Sequence, residues 1–222
     1  MYLIIGSTVD AGPDISILYI IWAAILTACA LVWLLSLRMS LRAFAPRQSD
    51  TRGEAVEVNL EPNQACKEIA RRLTAQSFGL SVRILTCTSE EVTARVTLYP
   101  GVYSASLLQN DERGASLHCR LVRGLKGTRL SWTIDTLPLN GTMKKAAYAL
   151  LVLGALALVA GAIIFPLWVI PSNEPAIRWQ VLQTLQVMHF QWPPALIAFI
   201  ARRRSALVEA RVSDLLANIA FF

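Results

Sequence analysis

The stretch "VLQTLQVMHFQWPPALIAFIARRRS", residues 181–205, decides the fold. If it crosses a bilayer, the chain end that follows lies on the same side as the long middle segment. If it lies along a membrane surface, the two are kept apart. Against crossing stand Gln180, Gln183, Gln186, His189, Gln191 and the Pro193–Pro194 pair, because polar side chains and missing backbone donors are costly in lipid. An interfacial amphipathic helix would tolerate all of them. In favour stands the Arg202–Arg203–Arg204 run, and its weight depends on the rest of the chain.

The 222 residues are 55% apolar and only 16% charged, whereas soluble domains carry about 25% charged residues. Two charge-free runs, residues 15–37 and 146–171, account for the deficit. Each reaches the roughly 20 apolar residues needed to cross about 30 Å of hydrocarbon. Residues 1–16 contain no Lys or Arg, so the first run lacks the positive start of a cleavable signal peptide. Arg38, Arg42, Arg47 and Arg52 follow it, and Lys144 and Lys145 precede the second run. Basic residues at span ends are retained in the cytoplasm. The expected arrangement is an external tail, residues 1–14, two spans in the inner (cytoplasmic) membrane, and a cytoplasmic domain over residues 54–136. Placing Arg202–Arg204 outside would break this pattern, so residues 179–200 are expected to cross as a polar-faced third span kinked near Pro193. Its glutamines are expected to turn toward the two apolar spans, where amides can bond between helices.

Between the spans the periodicity changes. Val56, Val58 and Leu60 alternate with polar residues and predict a strand. In "EPNQACKEIARRLTAQSFG" Cys66, Ile69, Ala70 and Leu73 share a helical face, with Pro62 suited to the first turn and Gly79 to the C-terminal cap. Five further strand patterns follow, around residues 80–84, 92–98, 103–107, 117–121 and 130–134. The expected fold is therefore an integral membrane α-helical protein carrying an inserted α+β domain. Its antiparallel sheet has about six strands, one internal helix, and an apolar face that needs more cover. The tail supplies that cover. Val208, Val212, Leu215 and Ile219 make an apolar stripe on a C-terminal amphipathic helix, residues 201–220, expected to close on the sheet.

The order strand, helix, antiparallel strands, closing helix resembles the helix-grip fold of the START and polyketide-cyclase-like superfamily. The resemblance rests on "VEVNLEPNQACKEIARRL", on "ASLHCRLVRGLKGTRLSWTID" and on the tail. It covers less than half of the chain, and the membrane hairpin departs from the usual pattern. It implies a domain able to hold a lipid or other apolar ligand.

Catalytic chemistry is sparse. His118 and Cys119 are neighbours on a predicted strand and point to opposite faces. Phosphate-loop, dinucleotide-binding, zinc-protease and nucleophile-elbow patterns are absent. "GLKGT" reads as a hairpin turn, Glu90–Glu91 and Asp111–Glu112 as solvated turn acids, and "NGT" at Asn140 as a sequon on the wrong side for glycosylation. The four cysteines form no CxxC pair and are expected to be reduced, small buried hydrophobes. No catalytic residue, metal or cofactor is expected. The net charge of +6 is largely juxtamembrane, which suits anionic lipid rather than nucleic acid. Arg83, Arg95, Arg120 and Arg129 fall at outward strand positions and are expected to form a basic sheet face, suited to anionic headgroups or an acidic partner. Ala24 and Ala28 in the first run, and Gly154, Ala157 and Gly161 in the second, have the small-residue spacing of close helix packing. The function expected is a non-catalytic accessory or structural subunit of a larger membrane protein complex, ahead of a tethered apolar-ligand module and of an enzyme.

Overall fold

A computed structural model of the chain describes residues 14–45, 56–75, 79–98, 114–124 and 127–218. The chain divides into two compact units, one from Met1–Arg42 and Lys145–Ala198, the other from Ala43–Lys144 and Phe199–Phe222.

The first unit is built on two long helices, α1 (Ile15–Phe44) and α3 (Gly141–Ile164). Both are long and apolar enough to cross a membrane. Thirty residues of α1 extend about 45 Å, more than the roughly 30 Å of a hydrocarbon core. Three hydrogen bonds fix the pair as antiparallel. Tyr19 Oη donates to the Pro166 carbonyl at 3.1 Å, Trp22 Nε1 to Gly161 at 3.2 Å, and Trp33 Nε1 to Leu151 at 2.9 Å. Consequently Arg38 and Arg42 lie at the same end of the pair as Lys145. One turn of π-helix, Phe165–Val169, continues α3.

The returning segment is not one kinked helix. It comprises α4 (Pro175–Arg178), a 3₁₀ helix (Trp179–Val187) and α5 (Met188–Gln191). A fresh helix, α6, then runs from Pro193 to Ala217. Helix α6 is thus continuous through the expected division at residue 201, and the boundary between the two units falls within it, at Ala198–Phe199. Pro193 and Pro194 occupy the first turn, where a missing N–H would be unpaired in any case, and Ala195 N donates to the Trp192 carbonyl at 3.0 Å. This segment runs back along the two long helices from one end to the other. Val181 is buried with Leu18 and Ile170, Gln191 meets Ser36 and Gly154, and Ser40 Oγ lies 3.5 Å from the Pro194 carbonyl.

The second unit is an α+β layer. Five antiparallel strands, β1 (Val56–Val58), β2 (Leu80–Cys87), β3 (Glu91–Leu98), β4 (Ala115–Arg123) and β5 (Thr128–Asp135), stand in the order β1-β5-β4-β3-β2. The sixth expected strand, residues 103–107, lies outside the described residues. Alternation puts Val92, Val96, Leu117, Cys119, Leu130 and Trp132 on the inner face, each at most 4% exposed. Helix α2 (Pro62–Ala75) covers part of that face with Ala65, Cys66, Ile69 and Leu73. The rest is covered by Val208, Val212, Leu215 and Leu216 of α6, in the same buried cluster. Ile219, the last residue of the expected stripe, lies outside the described residues. Gly124 N donates to the Gly127 carbonyl at 2.7 Å and closes the β4–β5 hairpin. At φ +155°, Gly127 sits where an added Cβ would collide with the Val58 carbonyl.

Candidate interaction surfaces

The outer sheet face is set by strand register. Arg83 pairs directly with Arg95, and the row continues through Ser116 to Asp135. Four residues further along, Glu91, Arg120 and Ser131 form another row, and Arg129 stands between Val122 and Glu57. All four arginines are exposed. Three carboxylates interleave with them, Glu57, Glu91 and Asp135, so the face carries both signs rather than a continuous basic stripe. Alternation along each strand was readable in the sequence, but the register that slots acids between arginines was not. An open concavity of about 800 Å³ lies here, lined by Thr88, Glu91, His118, Arg120, Arg129 and Ser131. His118 Nδ1 stands 3.3 Å from Glu91 Oε1, both side chains about half exposed. Cys119 is turned away into the core, where burial pushes its thiol up to about 12, so it presents no thiolate to that histidine. Among the described residues no three His, Cys, Asp or Glu side chains converge as metal ligands.

Two cysteines depart from the reduced expectation, and one of them, Cys87, also from the buried one. Cys66 and Cys87 are joined as a disulfide across 21 residues, with their Cα atoms 6.1 Å apart, a separation that suits the bond. Strict alternation from Leu80 would point Cys87 outward. A bulge between Ile84 and Thr86 shifts the register by one, so that Cys87 pairs with the inward Val92 and faces Cys66 on α2. The missing signal was that bulge, which leaves no mark in the apolar pattern.

The helix surfaces of the first unit also resolve. Gly154 and Gly161 are buried and Ala157 half-buried. A Cβ on Gly154 would stand 3.1 Å from Trp33 Cδ1 and 2.8 Å from Gln191 Oε1, so the glycine admits both neighbours. Ala24 and Ala28, by contrast, are exposed. On α1 the residues turned inward are Leu18, Cys29, Ser36 and Ser40, with the two tryptophans donating to α3. Thus α1 keeps an exposed Ala24–Ala28–Leu31–Leu35 stripe on another side.

The returning segment holds the largest departure. Only Gln191 of the glutamines described in it is buried, at 0% exposure. Its Nε2 donates to the Gly154 carbonyl at 3.1 Å, and its own carbonyl accepts from Ser36 Oγ at 2.5 Å. Gln180, Gln183 and Gln186 are exposed, not turned toward the apolar helices as expected. The helix type keeps them together. With three residues per turn, a 3₁₀ helix stacks positions i, i+3 and i+6 on one line. The three glutamines share that line, while Val181 and Val187, on the next, are buried and half-buried. An α-helix would fan the same glutamines over an arc of about 120°.

The tail is tied to the sheet unit by polar contacts as well as apolar ones. Asn140 Nδ2 donates to Ser205 Oγ at 2.8 Å and to the Ala201 carbonyl at 3.3 Å, and Thr136 Oγ1 donates to Glu209 Oε1 at 3.4 Å. No protein-family model matches the chain, and neither a curated protein nor a solved structure matches it.

Proposed function

We propose that this protein is a non-catalytic accessory or structural subunit of a membrane protein complex. It crosses the inner membrane with its N-terminus outside and carries its α+β domain in the cytoplasm. The observation that carries this reading is the exposed Gln180–Gln183–Gln186 line, on a segment laid along two helices apolar enough to span. Three side-chain amides facing hydrocarbon would each lack partners, which lipid penalises. A partner's transmembrane helix bearing hydroxyl or amide groups would satisfy them, and the exposed Ala24–Ala28 stripe gives a second place for close helix approach. Orientation follows from Arg38, Arg42, Lys144 and Lys145 at the domain side of the spans. The mixed-charge sheet face is then available to anionic headgroups or to a cytoplasmic part of the partner. The resemblance-based alternative is a helix-grip module for an apolar ligand.

Purification in a gentle detergent tests this reading. The expected result is a stable co-purifying membrane protein, lost when Gln180, Gln183 and Gln186 are all replaced by Leu while the domain stays folded. A lone protein carrying bound lipid, unaffected by the triple replacement, would overturn it.

A further inference from the structure

The charge rule places the α+β domain on the reducing side of the membrane, where permanent disulfides are rare, yet its fold brings Cys66 and Cys87 together. We propose that Cys66–Cys87 is a reversible redox modification site, exchanged with a low-molecular-weight disulfide of the glutathione class. The two positions are unequal. Cys87 ends β2, at the sheet edge, and is exposed, whereas Cys66 is 3% exposed on the inner face of α2. Cys87 is therefore the entry thiol and Cys66 the resolving thiol. In the first step the Cys87 thiolate attacks one sulfur of the small disulfide, forming a mixed disulfide and releasing one small thiol. In the second, the Cys66 thiolate attacks the Cys87 sulfur, forming the internal bond and releasing the second small thiol. The chain loses two electrons and two protons, and the small disulfide gains both. Helix α2 stays anchored through Ile69 and Leu73, at 0% and 1% exposure, so opening the bond leaves it seated. The remaining cysteines, Cys29 and Cys119, are free and buried, and neither competes for the exchange.

The choice of glutathione rests on the cytoplasmic placement, but the chemistry can be tested independently of it on detergent-solubilised full-length protein. The protein is equilibrated with defined ratios of reduced to oxidised glutathione and acid-quenched. Free thiols are then blocked in denaturant, and reducible cysteines are tagged with a maleimide polymer after reduction. The expected result is a doubly tagged fraction that rises with oxidised glutathione, falls when reduced glutathione is restored, and is absent in Cys66→Ser/Cys87→Ser. Single variants separate the roles. Cys66→Ser should trap glutathione on Cys87 on the order of tenfold faster than Cys87→Ser traps it on Cys66, because access controls exchange. A pair that never bonds, a bond that does not reopen in the folded protein, or equal trapping by the two variants would overturn the proposal.

Discussion

Leu216→Ala probes the union of tail and sheet at its most buried point. Leu216 is 0% exposed in a cluster with Val208, Val212 and the inner strand residues. Removing its isobutyl group forfeits the transfer energy of the lost carbons and leaves a cavity, together about 2–5 kcal/mol for such sites. A domain of this kind has about 5–15 kcal/mol in all. The unit carries its own reporter, because Cys119 sits at 0% exposure on a central strand with its thiol pushed up to about 12. Alkylation of Cys119 thus requires the sheet unit to open, and its rate follows the opening equilibrium. A loss of about 3 kcal/mol raises that equilibrium roughly 150-fold, at 1.36 kcal/mol per tenfold. The site-specific rate is read by mass spectrometry of the Cys119 peptide from full-length protein in detergent. Asp214→Ala, at an exposed position of the same helix, should change it less than about threefold. A Leu216→Ala rate within about fivefold of the parent would refute the reasoning, since no buried leucine at a packed interface is lost so cheaply.

Three further outcomes follow from the same contacts. Trp132→Ala, at 4% exposure opposite Cys119 on β4, should destabilise the sheet unit by about 3–5 kcal/mol, measured by the same alkylation rate. Gly154→Leu should lower thermal stability in detergent by about 1–3 kcal/mol through overpacking against Trp33 and Gln191, whereas Val152→Leu, on the exposed side of α3, should leave it unchanged. The Glu68 carboxyl is held down to about 2 by hydrogen bonds from Arg71 and then Arg72. Its folded pKa lies below its unfolded value of about 4.3, so its contribution is present above that value and lost as pH falls toward 2. The melting-temperature gap between the parent and Glu68→Gln should therefore narrow as pH is lowered through that window, and a constant gap would contradict the assignment.

What was legible in the sequence is what a single periodicity encodes. Two continuous apolar runs marked the long helices, and alternation marked the strands around Val92–Val96, Leu117–Leu121 and Leu130–Ile134. The spacing of Val208, Val212 and Leu215 foretold that the tail would close the sheet. Departures arise where geometry changes within a segment. A one-residue bulge near Leu85 reversed the facing of Cys87 and produced a disulfide that alternation excluded. A 3₁₀ helix over Trp179–Val187 stacked three glutamines on one exposed line, where an α-helical period fans them over about 120°. Register is a property of strand pairs rather than strands, so the acids between the outward arginines could not be read from either strand alone. Ala24 and Ala28 satisfied a spacing rule that does not say which neighbour uses it. In this chain the bulky Trp22 and Trp33, on another side of α1, make the contacts to α3.

In the proposed arrangement the segment after the second long helix returns through the membrane, bringing the tail to the side of the sheet. Its most direct measurement is cysteine accessibility in intact cells with a membrane-impermeant maleimide, at Ser7→Cys, Ser49→Cys and Asp214→Cys in otherwise full-length protein. Labelling is expected at Ser7→Cys alone, with Ser49→Cys and Asp214→Cys reached only after permeabilisation. Labelling of Asp214→Cys from outside while Ser49→Cys stays protected would contradict it, because the returning segment would then not cross.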